Sequence, residues 1–175
     1  LVDDAQGSVN GLLPSQVGYA TAATLRAQKL FSATATVGTP RELSLPAGQS
    51  YGFLLVRRGS LAQWNQSNPD NNLQQSPLVL FSVDAANPLS RDAVQTKPLS
   101  GDAFQVRWED ATSSSVRRLF NDNSITIKPV RDSILKMPGQ AGQTVTTTFT
   151  VTARNAAFRN ELGYFLVDDA IGTID

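Results

Sequence analysis

The stretch Thr144-Val145-Thr146-Thr147-Thr148-Phe149-Thr150-Val151-Thr152 decides the fold class, because it is the clearest strand in the sequence. Its residues come close to strict alternation and most are β-branched, which suits a pleated surface buried on one face. Further apolar segments bounded by Gly, Pro, Asn and Ser also read as strands. They are Glu42–Leu45, Tyr51–Val56, Leu78–Val83, Phe104–Trp108, Ser124–Val130 and Glu161–Val167.

One segment has helical spacing instead. Gln16–Phe31 carries apolar residues three and four positions apart, which predicts a helix with Ser15 as its N-cap. The polar stretch Ser60–Gln75 predicts a long surface loop, in which Trp64 either packs against the core or stacks on a carbohydrate. Residues 1–175 are therefore predicted to form a single, mainly β domain, a jelly-roll-like antiparallel sandwich of two sheets with one α-helix near the N-terminus.

Composition excludes several classes of function. The 175 residues contain no histidine and no cysteine, so they cannot supply a Ser-His-Asp triad, a thiolate nucleophile or the usual zinc ligands. No pair of acidic residues stands out as a glycosidase site, and we expect no enzymatic activity. Fifteen basic residues balance 15 acidic ones, so nucleic acid is a poor partner. No run of about 18 apolar residues exists, and we expect no membrane insertion.

The two ends of the chain carry an internal repeat. Leu1–Asn10 reappears as Leu166–Asp175 at an offset of 165, with six of the ten positions identical and three more conservatively replaced. This pattern is typical of one period of a repeating array, although an arbitrary boundary within a larger protein is the alternative. Both copies contain Asp-Asp-Ala-x-Gly, at Asp3-Asp4 and at Asp168-Asp169. These aspartates make either tight turns or loose calcium loops.

The strand before the second copy is complete, whereas the first copy starts at Leu1 without one. We therefore expect a sheet with a gap that another strand fills. The predicted filling segment is residues 144–175, from the same molecule or from a neighbouring one. The residues expected to provide register and burial in this assembly are Phe149, Val151, Leu162, Tyr164, Leu166, Val167, Leu1 and Val2.

Three motifs carry a resemblance to a known family. They are Asn160–Ala170, the link Gly7–Pro14, and Trp108-Glu109-Asp110 followed by Phe120-Asn121-Asp122. Together they resemble the family called domain of unknown function 4114, in a circularly shifted order. The family occurs in large, often repetitive, secreted or surface proteins of bacteria, cyanobacteria among them. The resemblance implies a β-rich extracellular module with no established enzymatic activity, often in company with calcium-binding repeats. Arg117 and Leu119 stand where family members usually carry acids.

Calcium is the candidate cofactor, because it binds six to eight oxygen ligands. If Phe104–Trp108 pairs with Ser124–Val130, acids and amides at the adjoining strand ends meet. The candidate ligands are Glu109, Asp110, Asn121, Asp122 and Asn123. The alternative is structural, with Asp110 and Asp122 bonding backbone N–H groups of the turns and Arg117 or Arg118 pairing with them.

These observations predict a structural subunit or repeat unit of a bacterial extracellular or cell-surface assembly, such as a fibre, a pilus-like filament or an adhesin. The expected partners are copies of the chain itself, joined head-to-tail by strand complementation. The alternative function is a calcium-dependent carbohydrate-binding module of a large secreted adhesin, with surface glycans as partners.

Overall fold

The computed structural model describes residues 7–46, 50–101, 103–111, 119–129, 144–155 and 159–167. These residues fall into two compact units. The first unit draws on Leu1–Ala33, Gln49–Asp92 and Arg159–Asp175, and the second on Thr34–Gly48 and Ala93–Phe158. The predicted fold class, mainly β with two antiparallel sheets, is confirmed, with one sheet in each unit.

The first unit contains a four-stranded antiparallel sheet and the two α-helices of the described residues. Its elements in chain order are α1 (Tyr19–Arg26), β1 (Gln28–Phe31), β3 (Ser50–Arg57), α2 (Leu61–Ser67), β4 (Leu78–Phe81) and β9 (Glu161–Val167). The strand order is β1-β9-β3-β4, so β9, the last of the described strands, lies inside the sheet. Two 3-10 turns, Asp84–Ala86 and Pro88–Ser90, follow β4.

The second unit is a five-stranded antiparallel sheet. It consists of β2 (Pro40–Pro46), β5 (Val94–Pro98), β6 (Phe104–Trp108), β7 (Asn123–Pro129) and β8 (Thr144–Arg154), in the order β2-β8-β7-β6-β5. Along β8, Thr147, Phe149 and Val151 are buried while the threonines between them are partly exposed. The alternation read from the sequence therefore corresponds to one buried face and one partly solvated face.

The core of the first unit joins the sheet to the helices. Leu54 and Val56 of β3 and Phe81 of β4 point into one buried cluster with Tyr19 of α1 and Trp64 of α2. Phe81 packs edge-on against Tyr19, with ring centroids 5.8 Å apart, and against Phe165 of β9, at 6.0 Å. Interlocked aromatic rings of this kind contribute stabilisation beyond the apolar area that they bury.

The N-terminal helix is shorter than the sequence predicts. The prediction of a helix over Gln16–Phe31 is wrong outside Tyr19–Arg26, because Ala27 is extended and β1 then pairs with β9. Ser15 is not the N-cap. Gly18 occupies that position with φ of 90°, a conformation that glycine adopts without steric strain. In Gln28–Phe31, hydrogen bonds to β9 therefore stabilise a strand even though the spacing of the apolar residues is helical.

The predicted surface loop Ser60–Gln75 is wrong over its first half, where α2 forms. Ser60 caps α2 by accepting a hydrogen bond from the backbone N–H of Gln63, and the Gln63 side chain accepts one from the Ser60 N–H. This capping box fixes the start of the helix. Trp64 is fully buried and its indole N–H donates to Asn71 Oδ1 at 3.1 Å. Packing against the core is thus confirmed for Trp64, and a buried indole offers no face to a sugar.

Strands β1 and β5 were not predicted from the sequence. Both lie at sheet edges and are rich in polar residues. Within the part of the chain that the structure describes, no helix is long and apolar enough to cross a membrane.

Candidate functional site

Three of the predicted calcium ligands meet where β6 and β7 adjoin. The two strands pair as expected, with Trp108 opposite Asn123. Glu109 and Asp110 directly follow β6 and Asp122 directly precedes β7, so the pairing brings their side chains together. One carboxylate oxygen from each of Glu109, Asp110 and Asp122 lies within 4.8 Å of the others. The two strand ends thus form an acidic cluster, defined here as these three residues.

Backbone N–H groups already bind much of this cluster. Glu109 Oε1 accepts a hydrogen bond from the Ala111 N–H at 3.1 Å, and Oε2 accepts one from the Leu119 N–H at 2.9 Å. A longer contact at 3.4 Å joins Oε2 to the Phe120 N–H. Asp122 Oδ2 accepts a hydrogen bond from the Asp110 N–H at 2.8 Å. The carboxylates therefore tie both ends of the β6–β7 connection together.

The carboxyl groups of Glu109 and Asp122 differ in pKa. Burial, together with the hydrogen bond to Glu109 and the negative charges of Asp110 and Glu109, raises the pKa of Asp122 to about 6. Burial also raises the pKa of Glu109, but the hydrogen bonds from backbone N–H groups and from Asp122 outweigh it and hold that pKa below its usual value. Below about pH 6 the Asp122 carboxyl therefore carries a proton that it can donate to the Glu109 carboxylate, and above that pH both groups are ionised.

The two predicted asparagine ligands flank Asp122 in the sequence and differ in burial. The Asn121 side chain is exposed, and its backbone carbonyl accepts a hydrogen bond from Asn155 Nδ2 at 3.1 Å. Asn123 is buried in β7, and its Nδ2 has no hydrogen-bond partner among the described residues. The predicted pairing partners Arg117 and Arg118 lie outside the described residues.

The residues predicted to act in assembly fall on two strands in two sheets. Phe149 and Val151 are buried in β8 of the second unit, and Leu162 and Tyr164 are buried in β9 of the first. Leu166 and Val167 pair along the backbone with Tyr51 and Ser50 of β3. Leu1 and Val2 lie outside the described residues, as do Asp3, Asp4, Asp168 and Asp169.

Strand β9 is an interior strand of its sheet. Its residues have three backbone partners in β1 and seven in β3. Its start is also held, because Asn160 Oδ1 accepts a hydrogen bond from the Arg58 N–H at 3.1 Å. Glu161 Oε1 accepts one from the Leu61 N–H at 3.3 Å. The segment just before the second repeat copy is thus bonded on both of its edges.

Phe165 is the functional candidate that the sequence reading missed. It points from β9 into the core cluster of the first unit and is fully buried. Gly52 indicates such a residue, because a glycine within an apolar strand such as β3 often marks a place where another group closely approaches the backbone. Phe165 is the backbone partner of Gly52.

No protein-family model matches the chain, and no significant match was found among the curated proteins or the solved structures. The resemblance to domain of unknown function 4114 accordingly stays a prediction.

Proposed function

We propose that this protein is a structural subunit or repeat unit of a bacterial extracellular or cell-surface assembly, a fibre, a pilus-like filament or an adhesin. Copies would join head-to-tail when β9 of one copy fills the position between β1 and β3 of the next. The observation that carries the proposal is the interior position of β9 in its sheet.

An interior strand is a suitable donor because a strand in that position forms backbone hydrogen bonds with both neighbouring strands. Backbone hydrogen bonds to β1 and β3 give affinity, and they do not depend on whether the strand comes from the same chain. Specificity comes from side chains that enter defined positions, with Phe165 on the core side. Tyr164 lies on the opposite face of the strand and donates from its hydroxyl to Gln28 Oε1 at 2.8 Å. The same contacts can form between molecules, as in domain swapping.

The repeat gives this exchange a direction. The segment that continues from β9 into Leu166–Asp175 resembles the segment Leu1–Asn10 that precedes α1. A β9 donated to a neighbour would therefore be followed by residues similar to the neighbour's own Leu1–Asn10, which suit the place of that segment. The extracellular setting is supported by the resemblance to a family of secreted and surface proteins.

Engineered disulfides test this proposal directly, because the chain contains no cysteine. Ser50 and Val167 are backbone partners across β3 and β9, and such antiparallel pairs have Cα atoms close enough for a disulfide. Purified Ser50→Cys and Val167→Cys proteins are mixed, oxidised and run on a non-reducing gel. We expect a heterodimer that increases with concentration. The control replaces Ser50→Cys by Val17→Cys, at a residue that is 95% exposed.

The double variant Ser50→Cys/Val167→Cys calibrates the experiment within one chain. If it closes an intramolecular disulfide at every concentration while the mixed single variants give no more heterodimer than the Val17→Cys control, β9 stays in its own molecule and the proposal is wrong. Electron microscopy of the native protein gives an independent readout, since regular filaments are expected from repeated head-to-tail exchange.

A second candidate function is the calcium-dependent carbohydrate-binding module, favoured by the acidic cluster. Three carboxylates whose oxygens lie within 4.8 Å of one another are hard oxygen ligands of the kind that calcium prefers. Below about pH 6 a proton on Asp122 relieves their repulsion, and a bound cation could replace that proton. Chelator-sensitive glycan binding by a monomer would favour this function over assembly.

A further inference from the structure

The segment Gly7–Val9 forms a plug in the first unit. Val9 is fully buried and Ser8 is 3% exposed. Val9 belongs to the same core cluster as Tyr19 and Phe165. The start of the described chain therefore fills part of the core close to strand β9.

Polar contacts fix this plug at both ends. The buried Tyr19 hydroxyl donates a hydrogen bond to the Gly7 carbonyl at 2.9 Å. After Val9 the chain turns at Asn10 and Gly11, whose φ angles are 53° and 72°. Backbone hydrogen bonds of 2.9 Å run in both directions between Val9 and Leu12 and close the turn. The guanidinium of Arg26 in α1 donates to Asn10 Oδ1.

The second repeat copy carries the groups that these contacts require. Gly172, Thr173, Ile174 and Asp175 correspond to Gly7, Ser8, Val9 and Asn10 at the offset of 165. Any residue at the Gly7 position offers a carbonyl to Tyr19, and a glycine keeps the φ of 85° found there. Ile174 is an apolar β-branched residue like Val9, with one methylene more. Asp175 would give Arg26 a carboxylate in place of an amide, so that both partners of the hydrogen bond would be charged.

We propose that the site filled by Gly7–Val9 is a receptor for Gly172–Ile174 of a second copy of this chain. The inference rests on the proposed strand exchange and adds a register to it. A donated β9 brings residues 168–175 of its own chain, called the tail here, and Gly172–Ile174 of this tail displace the acceptor's N-terminal plug. Phe165 of β9 shares the core cluster with Val9, so a strand in the β9 position ends close to this site. The two copies of the repeat compete for one site, and only one can hold it.

Cross-linking between residues 26 and 175 tests the register. Arg26→Cys protein is mixed with Asp175→Cys protein and treated with a short bismaleimide. The double variant Asn10→Cys/Arg26→Cys is the positive control, since Arg26 contacts Asn10 within one chain. Val17→Cys in place of Arg26→Cys is the matched negative control. We expect about tenfold more heterodimer than in the negative control, because strand donation raises the local concentration of the tail.

A further variant separates specific binding of the tail from mere proximity. Ile174→Asp added to the Asp175→Cys protein would place a charge in the apolar position of Val9, so the heterodimer should fall to the level of the Val17→Cys control. Heterodimer that is unaffected by Ile174→Asp would overturn the inference, because the tail would then lie near Arg26 without filling the site.

The outcomes distinguish this inference from the proposed function. If Ser50→Cys and Val167→Cys form a heterodimer but residues 26 and 175 do not, strand exchange holds and the shared site is wrong. If neither pair cross-links between molecules, both proposals fall. If only residues 26 and 175 cross-link, strand donation is overturned and the register assigned here falls with it, because the tail then binds a second copy without a donated β9.

Discussion

Phe165 of β9 lies directly over Gly52 of β3. The two residues are backbone partners, and a Cβ atom built on Gly52 would lie 2.1 Å from Cζ of the Phe165 ring. No side chain other than hydrogen fits under that ring while it keeps its position. The glycine thus allows an aromatic ring to cover the backbone of the neighbouring strand and reach the core cluster.

Gly52→Ala should therefore destabilise the protein, by about 1–3 kcal/mol, as expected when a side chain is forced into a filled core. The ring of Phe165 must move out of the cluster that it forms with Phe81. Gly163→Ala is the matched control on β9, where the nearest atoms to a new Cβ lie at 3.1 and 3.2 Å. Urea unfolding of the two variants should give a clearly larger loss for Gly52→Ala. Equal losses would contradict the close packing of Gly52 and Phe165.

Seven of the nine described strands were predictable from the sequence, because their local pattern agrees with their final environment. Phe104–Trp108 and Glu161–Val167 have the bounds expected from their sequence. Gln28–Phe31 could not be recognised as a strand, because its apolar residues continue the helical spacing of α1. Its strand conformation depends on pairing with β9, which lies far away in the sequence. Of the two alternatives for Trp64, packing against the core is the one that the structure confirms, although the helix that carries Trp64 was missed among polar residues.

The candidate site was only partly predictable, for a related reason. The meeting of Glu109, Asp110 and Asp122 follows from the pairing of β6 with β7, which the motifs indicate. The difference in pKa between Glu109 and Asp122 does not follow from this pairing. It depends on which oxygens receive the N–H groups of Leu119 and Asp110, and the geometry of a connecting loop determines that. Type and spacing of residues are visible in a sequence, whereas hydrogen-bond partners in a loop are not.

The proton shared by Asp122 and Glu109 should make stability depend on pH. The pKa of Asp122 is about 6 in the folded protein, above the ordinary 3.8. Between about pH 4 and pH 6 the folded protein retains a proton that the unfolded chain has released, so stability falls as pH rises through this window. Asp122→Asn keeps an acceptor for the Asp110 N–H and a donor for Glu109 but does not titrate.

Urea titrations at about pH 5 and about pH 7.5 measure this effect. We expect wild type to lose on the order of 1 kcal/mol across the window, after allowance for screening by solvent, and Asp122→Asn to lose less. Asp70→Asn, at an exposed aspartate, is the control and should follow wild type. A wild type that gains stability from pH 5 to pH 7.5 while Asp122→Asn does not would show that the sign is wrong.

Calcium and this proton should compete for the same oxygens. At about pH 7.5, where Asp122 has lost its proton, millimolar calcium should raise the thermal midpoint of wild type by a few degrees, because binding to the folded state alone stabilises it. At about pH 5 the rise should be smaller, since the cation must displace a proton. Asp122→Asn removes one carboxylate while keeping its neutral hydrogen bonds, so it should abolish the rise at either pH, whereas Asp70→Asn should retain it. No rise in wild type, or an equal rise in Asp122→Asn, would mean that the acidic cluster serves only to tie β6 to β7.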